Sequence, residues 1–301
     1  MNNLTVVILT HNEELHIERC IRSVRLLATK IFVVDSYSTD RTAEISRSMG
    51  AEVVFHAFSN HAVQFNWALM NLPFTTKWIM RLDADEYLEP EAVQEVARLL
   101  VSLPPDTEGI YIRRKVLFYG KWIRFGGFYP QILMRIWRAG KGRVESRWQD
   151  AHVILDSGAR TVLARGHLVD DNRKGITFWI EKHNKYASRE ALELLNLKYH
   201  FYAKDDSNKL FHNLQARYKR VVKEKWYNPL PLGIRAWLYF LYRYLLLLGF
   251  LDGGRGFVYH ILQAFWYRLL VDVKIMELEQ RSHGNVEEMK RLFREQHGLD
   301  V

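Results

Sequence analysis

Lys77-Trp-Ile-Met-Arg-Leu-Asp-Ala-Asp-Glu86 is the stretch on which the reading of the fold turns. An apolar run with a β-branched residue and an aromatic breaks into carboxylates, and Glu89-Pro90 then opens a helical pattern. The spacing predicts a buried strand over 77–82 that delivers acids to its C-terminal end, where open α/β sheets place their ligands. Asp83 and Asp85 alternate along the extended chain, with small Ala84 between them. Two hard oxygen ligands presented this way suit Mg²⁺ or Mn²⁺, which keeps other positions for water and substrate phosphates. On spacing alone, a helix-capping acid followed by solvated loop acids is the better account of a bare Asp-X-Asp. The context upstream moves the balance toward the metal.

That context is a βα alternation. Leu4–Thr10 reads as a strand, and Leu15, Ile17, Ile21, Val24 and Leu27 then recur at helical spacing. A second apolar strand is expected over 31–35, a helix over 42–49 capped by Ser38-Thr39-Asp40 and closed by Gly50, and a third strand over 51–55. A short helix over 62–71 precedes the strand at 77–82. Strands alternating with helices of this length imply parallel pairing with right-handed crossovers. Three strand ends carry polar clusters: Thr10-His11-Asn12-Glu13, Asp35-Ser36-Tyr37-Ser38 and Asp83-Ala84-Asp85. They should converge on one sheet edge, as a nucleotide pocket requires. No Gly-x-Gly-x-x-Gly and no Gly-x-x-x-x-Gly-Lys-Ser/Thr follows a strand, which disfavours dinucleotide and P-loop chemistry.

Val6-Val-Ile-Leu-Thr-His-Asn-Glu-Glu14, Val33-Val-Asp-Ser-Tyr-Ser-Thr-Asp-Arg-Thr42 and Arg81-Leu-Asp-Ala-Asp-Glu86 resemble, in order and spacing, the three N-terminal motifs of the family 2 glycosyltransferases. The resemblance implies a GT-A fold, with a Rossmann-like, mostly parallel sheet. It also implies a nucleotide-diphospho-sugar donor, UDP-linked by this resemblance, and inversion at the anomeric carbon. Thr10, Asn12, Glu13 and Asp35 would line the nucleoside site, Asp83 would face the ribose and diphosphate, and Asp85 the metal. Many members carry a second aspartate where Ser36 stands, which leaves the base contact open. Gln64-Phe-Asn-Trp-Ala-Leu69 is similar to the family segment that approaches the donor, making Asn66 a candidate contact; a capped or surface amide fits equally.

The acceptor side follows. A helix over 91–103 ends at Pro104-Pro105, and strands are expected over 109–118 and 131–137. Arg113, Arg114 and Arg135 are candidates for a phosphate on donor or acceptor, although for any one alone a solvated basic face is the stronger reading. In Arg143-Val-Glu-Ser-Arg-Trp-Gln-Asp-Ala-His152, Asp150 stands just before an apolar run and beside Trp148, an aromatic wall on which a sugar can stack. This run resembles the Trp-x-Asp-x-His segment of the bacterial lipopolysaccharide-core β-1,4-glucosyltransferase branch, which implies that Asp150 is the catalytic base; the competing reading is a loop-capping aspartate. His183, with Asn184 and Tyr186, matches the same branch and is a candidate acceptor or phosphate contact, with a structural histidine as its rival. The chemistry explains the residue types. The leaving diphosphate needs its growing charge stabilised, and the acceptor hydroxyl needs a base. One displacement inverts, so a second catalytic carboxylate is not expected.

The chain has 301 residues, 43 Lys and Arg against 34 Asp and Glu, and a formal charge of +9, which favours anionic partners. Its single cysteine, Cys20, excludes an internal disulfide and fits a reducing compartment. The N-terminal apolar run is too short for a signal-peptide core. Residues 1–170 read as the catalytic domain and 171–301 as a helical region. The segment 211–226 is basic, and 231–251 is almost long enough to span a bilayer. Arg243 would lie deep in such a span. On a helical projection Arg235, Tyr239, Tyr242 and Arg243 fall on one side and Trp237, Phe240, Leu241, Tyr244, Leu245 and Leu248 on the other. That pattern suits an interfacial helix; a helical subdomain packed on the catalytic core is the alternative.

The expectation is an inverting, metal-dependent hexosyltransferase at the cytoplasmic face of the inner membrane, held peripherally on an anionic surface. Its acceptor would be a lipopolysaccharide core or lipid-linked oligosaccharide. An enzyme glycosylating a polyprenyl phosphate is the nearest alternative. A nucleic-acid-binding module lacks a reader motif, so no nucleic-acid partner is expected, and intact motifs argue against a catalytically dead nucleotide-sugar binder.

Overall fold

The computed structural model describes residues 3–145, 152–156, 158–201, 227 and 230–297. Four parallel strands form its first half: β1 (Leu4–Thr10), β2 (Lys30–Asp35), β3 (Glu52–Phe55) and β4 (Trp78–Asp83), alternating with α1 (Ile17–Val24), α2 (Thr42–Ser48) and α3 (His61–Asn71). All seven residues of β1 are buried because both faces of the sheet are covered. Ile17, Cys20, Ile21 and Val24 give α1 a buried stripe at i, i+3, i+4 and i+7. Ala62, Phe65 and Ala68 of α3 close the opposite face against Val7, Phe32 and Val34.

The second half is mixed rather than parallel. β5 (Glu86–Leu88), α4 (Pro90–Ser102), β6 (Thr107–Phe118), β7 (Lys121–Ile123), β8 (Gln131–Arg138), β9 (Gly142–Val144), β10 (Val153–Leu155) and β11 (Arg160–Asp170) follow in the chain. The nine-stranded sheet runs β3-β2-β1-β4-β8-β6-β11-β5, with β7 paired to β6, while β9 and β10 form a separate ribbon. β8 lies antiparallel between β4 and β6, and β11 runs parallel to β6. Gly166 allows β11 to pass against α4: its φ is +74°, and a Cβ there would lie 2.5 Å from the Ala92 backbone nitrogen. The mixed α/β sheet with a helical C-terminal region is the expected GT-A arrangement.

Register decides what meets at the sheet edge. Thr10 pairs with Asp35 and Leu9 with Asp83, so the ends of β1, β2 and β4 lie side by side. β5 brings Glu86 opposite Asp170 of β11.

The C-terminal helices are α5 (Gly175–Tyr199), α6 (Ile234–Leu241), α7 (Gly253–His260), α8 (Tyr267–Ser282) and α9 (Val286–His297). α6 continues through a π-helical turn at Tyr242–Leu246, and another, Ile261–Trp266, joins α7 to α8. Ala187, Ala191 and Leu195 of α5 pack with Val271 and Ile275 of α8 and Phe293 of α9. Among the described residues no single helix is long and apolar enough to cross a membrane; the bent pair Ile234–Leu246 and Gly249–Ser282 passes by length and composition.

The arginines on the polar side of the α6 segment face inward, while Tyr242 on the same projected side is exposed. Arg235 is buried in an ion pair with Asp272, and Asp272 also accepts the Gly233 N–H at 2.7 Å. Arg243 donates to the Gly126 carbonyl and stacks 3.5 Å above the Phe128 ring. Asp252 accepts the Arg124 and Phe125 N–H groups at 3.1 and 3.0 Å. Gly126, at φ +66°, lies so close to His260 that a Cβ would fall 2.0 Å from the imidazole. Phe240 departs from its projected side and is buried, because the turn of α6 packs it beside Tyr244 and Phe265. Trp237, Leu238, Leu241, Tyr242, Leu245 and Leu246 are exposed. Arg235 thus ties α6 to α8, Arg243 ties it to the loop of the catalytic domain at Gly126, and an apolar face is left outside.

Candidate active site

The donor end forms where β1 and β2 stop. Asp35 is fully buried and accepts Thr10 Oγ1 at 2.8 Å, the Ser38 N–H at 2.7 Å and Ser38 Oγ at 2.6 Å. Asn12 adopts a left-handed φ of 55°, which asparagine tolerates, and its side-chain oxygen accepts the Thr39 N–H at 2.8 Å. These bonds knit the β1 and β2 loops together and spend the acceptors of both side chains. The wall of the adjoining cleft is accordingly made by Thr10, His11, Glu13 and Ser36, with Asn12 and Asp35 behind it. Gln64, absent from the expected set, donates to Ser36 Oγ at 2.7 Å and lines the same wall. Glu13 accepts from Lys174 Nζ and pairs with His16 Nδ1, both at 2.6 Å.

Asn66 is directed elsewhere. Its amide donates to the Val144 carbonyl at 2.8 Å and accepts the Val144 N–H at 2.9 Å, so both ends of the group pin β9. It is not part of the cleft wall.

At the end of β4, Asp83 and Asp85 both line the cleft. Burial opposes the charge on Asp83, yet the Arg81 and Arg135 guanidiniums hold its carboxyl well below the usual range. Burial likewise opposes Asp85, and the Lys182 ammonium together with the Asn172 hydrogen bond lowers it. Asn172 Nδ2 donates to Asp85 Oδ2 at 3.0 Å, and Lys182 Nζ lies 3.8 Å away. Both aspartates are therefore ionised hard-oxygen donors, which fits Mg²⁺ or Mn²⁺. Among the described residues no three His, Cys, Asp or Glu side chains are grouped to hold a metal. The set fits an ion whose remaining positions belong to donor phosphates and water, not an all-protein cage.

Glu86 turns inward beneath them. It forms a buried ion pair with Arg135 and accepts the Asp83 N–H at 3.1 Å; burial raises its carboxyl to about 7 against the pull of Arg135. Arg135 thus supports the acids from below. Asp170, at the end of β11, faces Arg114 at 3.4 Å, and the Asp171 N–H donates to the Asp85 carbonyl at 3.1 Å.

The arginine of β6 that lines the cleft is Arg114, not Arg113. Successive side chains of a strand point to opposite faces, and Arg113 donates to the Ala164 carbonyl at 3.2 Å instead. His183 lines the cleft but is packed: its ring stacks on Trp179 at 3.5 Å, and Nδ1 lies 2.8 Å from the Trp179 carbonyl. Burial lowers its pKa to about 4, so it is neutral at physiological pH. Trp148 and Asp150 lie outside the described residues. They are flanked by Glu145, which is buried, and His152, whose N–H and Nδ1 both lie 3.0 Å from Glu145 Oε1.

The cleft measures about 2100 Å³ and continues past α5 to Tyr239, Tyr242 and Arg243 of the α6 segment. A drug-sized ligand fills roughly 300–1,000 Å³, so there is space for two substrates end to end.

The chain is also similar to known proteins. The model of glycosyl transferase family 2 matches residues 5–158, just over half of the chain. An uncharacterized glycosyltransferase of Rickettsia typhi is 25% identical over 292 residues, covering 94% of this chain and 90% of its own. A second, from Rickettsia bellii, is 37% identical over 103 residues, 34% of each chain. Glucosyl-3-phosphoglycerate synthase of Mycobacterium tuberculosis, solved with Mn²⁺, UDP and phosphoglyceric acid, superposes with a TM-score of 0.32 at 21% identity, over 38% of this chain and 43% of its own.

Proposed function

The chain belongs to glycosyl transferase family 2, and we propose that it moves a hexose from a UDP-linked donor to a hydroxyl of a membrane-anchored glycan, with inversion. The observation that carries this reading is the convergence of three strand ends on one cleft. Thr10 and Glu13, Ser36, and the Asp83-Asp85 pair come from separate strands yet line a single cavity. Through a divalent cation the acids suit a charged diphosphate, and the aromatic side chains elsewhere on the wall suit a sugar acceptor.

In this mechanism Thr10, His11, Ser36 and Gln64 shape the nucleoside end. Asp85, with Asp83 beside it, would hold a divalent cation, which when bound supplies Lewis-acid stabilisation of the leaving diphosphate. Arg135 and Glu86 fix the aspartates from beneath. Asp150 takes the proton of the acceptor hydroxyl while that oxygen bonds to the anomeric carbon. The bond from that carbon to the diphosphate breaks on the opposite side, and the electron pair leaves with the diphosphate. A single displacement of this kind inverts the centre.

The apolar face of the α6 segment supports a membrane-held acceptor, of the lipopolysaccharide-core or lipid-linked kind. Leu238 and Tyr242 belong both to that face and to the cleft wall, so the open end of the cleft and the apolar surface share a rim. A peripheral position on the cytoplasmic side of the inner membrane follows from this reading.

The test is a panel of nucleotide sugars followed by calorimetry and turnover. The unaltered protein should bind one UDP-sugar with a divalent cation. Asp85→Ala, or EDTA, should weaken that binding and abolish transfer. Full transfer in chelator, with the cation verified absent, removes the metal from the scheme.

A further inference from the structure

The cations of the cleft are not equivalent. Arg81 and Arg135 face Asp83, Arg114 faces Asp170, Lys182 faces Asp85 and Arg268 pairs with Glu190. Each of these is neutralised by an acid, and Arg243, farther along the wall, is held by the Gly126 carbonyl and the Tyr239 hydroxyl. Arg189 lines the same cleft, is half-buried, and has neither an ion pair nor a hydrogen bond among the described residues. Lys185, one turn earlier and also on the cleft wall, is exposed and does not pair with Glu181, the i,i+4 partner its spacing suggests. Burial pulls the Arg189 guanidinium below its ordinary value, opposed by the Tyr186 phenol alone.

A half-desolvated guanidinium with no counter-charge costs free energy unless something anionic comes to it. Its position says what that is. Lys182 and Arg189 are seven residues apart on α5, so Arg189 lies about 10 Å along the helix from the contact with Asp85. Earlier on the same helix Lys174 holds Glu13 of the β1 loop, so Arg189 stands on the far side of Asp85 from the nucleoside end, within electrostatic reach of His61 and Tyr186.

We infer that Arg189, assisted by Lys185, forms a subsite for an anionic group, a phosphate or a carboxylate, carried by the acceptor glycan. The inference rests on the glycosyltransfer reading and adds the acceptor's charge to it. Arg189 presents a planar fork of donors that suits either group. Lys182, held by Asp85, stays with the donor.

Calorimetry on the full chain tests this with three probes: glucose 6-phosphate, glucuronate and glucose. Each is titrated with UDP and Mg²⁺ at saturation, so that the diphosphate end is filled. The unaltered protein should bind at least one anionic sugar and not glucose. Arg189→Ala should weaken that binding about ten- to a hundredfold; Arg189→Lys should recover part of it, and UDP affinity should stay the same in both. Whichever anionic sugar binds identifies the group as phosphate or carboxylate. The subsite is overturned if glucose binds as well as the anionic sugars, if neither anionic sugar binds while UDP does, or if Arg189→Ala matches the unaltered protein. If UDP itself fails to bind, the donor reading falls separately. Arg189-dependent binding of an anionic sugar would then still uphold the subsite, and its absence would remove both.

Discussion

Replacing Trp237, Leu241 and Leu245 together by serine should release the protein from lipid without unfolding it. The three side chains keep 52, 43 and 50% of their surface open to water. Complete burial of such a side chain is worth about 1.5–3 kcal/mol, so the exposed half offers about 1 kcal/mol each and about 3 kcal/mol together. At 1.4 kcal/mol per tenfold, vesicle partitioning should fall about a hundredfold. Co-sedimentation with vesicles containing anionic lipid measures this directly. Raised salt should weaken the basic contribution in the unaltered protein and leave an apolar remainder that the triple variant lacks. Two controls separate this face from general hydrophobicity. Met70 is 77% exposed on α3 of the catalytic domain, and Met70→Ser should leave sedimentation unchanged. Phe240 is 6% exposed, and Phe240→Ser should instead destabilise the fold by about 3–5 kcal/mol. A triple variant that sediments like the unaltered protein, or an unaltered protein that stays soluble beside anionic vesicles at low salt, refutes the argument from the exposed face.

Asp150→Asn should lower single-turnover transfer about 10²–10⁴-fold while UDP-sugar affinity survives, because a general base contributes on that order and the donor acids are untouched; near-normal transfer would move the base to Asp170 or Asp171. Acid should destabilise the fold through His61 and His183, both brought to about 4 chiefly by burial. Unfolded histidine titrates near about 6.5, so the unfolded chain takes up protons first; the contribution is complete above that pH and is lost as pH falls toward 4. Denaturation curves from pH 7 to 4 check this. His183→Phe should flatten the slope in that window, and an unchanged slope would mean that the histidine is not held neutral.

The donor half was legible because its signals are long and periodic. β1, β2 and β4 are continuous apolar runs ending in acids, and parallel pairing follows from the helices between them. Much of the acceptor half was not. β11 carries alternating exposed and buried residues interrupted by Gly166, so its eleven residues look like a polar loop until α4 is seen packed beside them. β5 is three residues long and has no meaning without β11. That omission hid Asn172 from the site and left Asp170 and Asp171 only as second candidates for the base. Arg113 and Arg114 could not be told apart in the sequence, because strand parity is not fixed without knowing which face is buried. Asn66 shows the opposite limit. Its place in the motif suggested a ligand contact, while the backbone of β9, 78 residues away, supplies its two partners.

The C-terminal helices show why membrane association and packing on the catalytic core were poor alternatives. A projection of α6 separates arginines from apolar residues, but it does not say what either side faces. The arginines are used inside: Arg235 on Asp272, and Arg243 on the Gly126 carbonyl and the Phe128 ring. A buried pair of this kind stabilises little compared with an apolar replacement, but losing one partner costs about 3–5 kcal/mol. It therefore fixes geometry more than it adds stability. Here the pair fixes α6 on α8, and Arg243 then holds the apolar surface against the loop at Gly126 and Phe128, part of which lines the cleft. Core packing and an exposed apolar face are then two sides of one helix. The arginine side sets where the cleft opens relative to whatever the apolar side rests on.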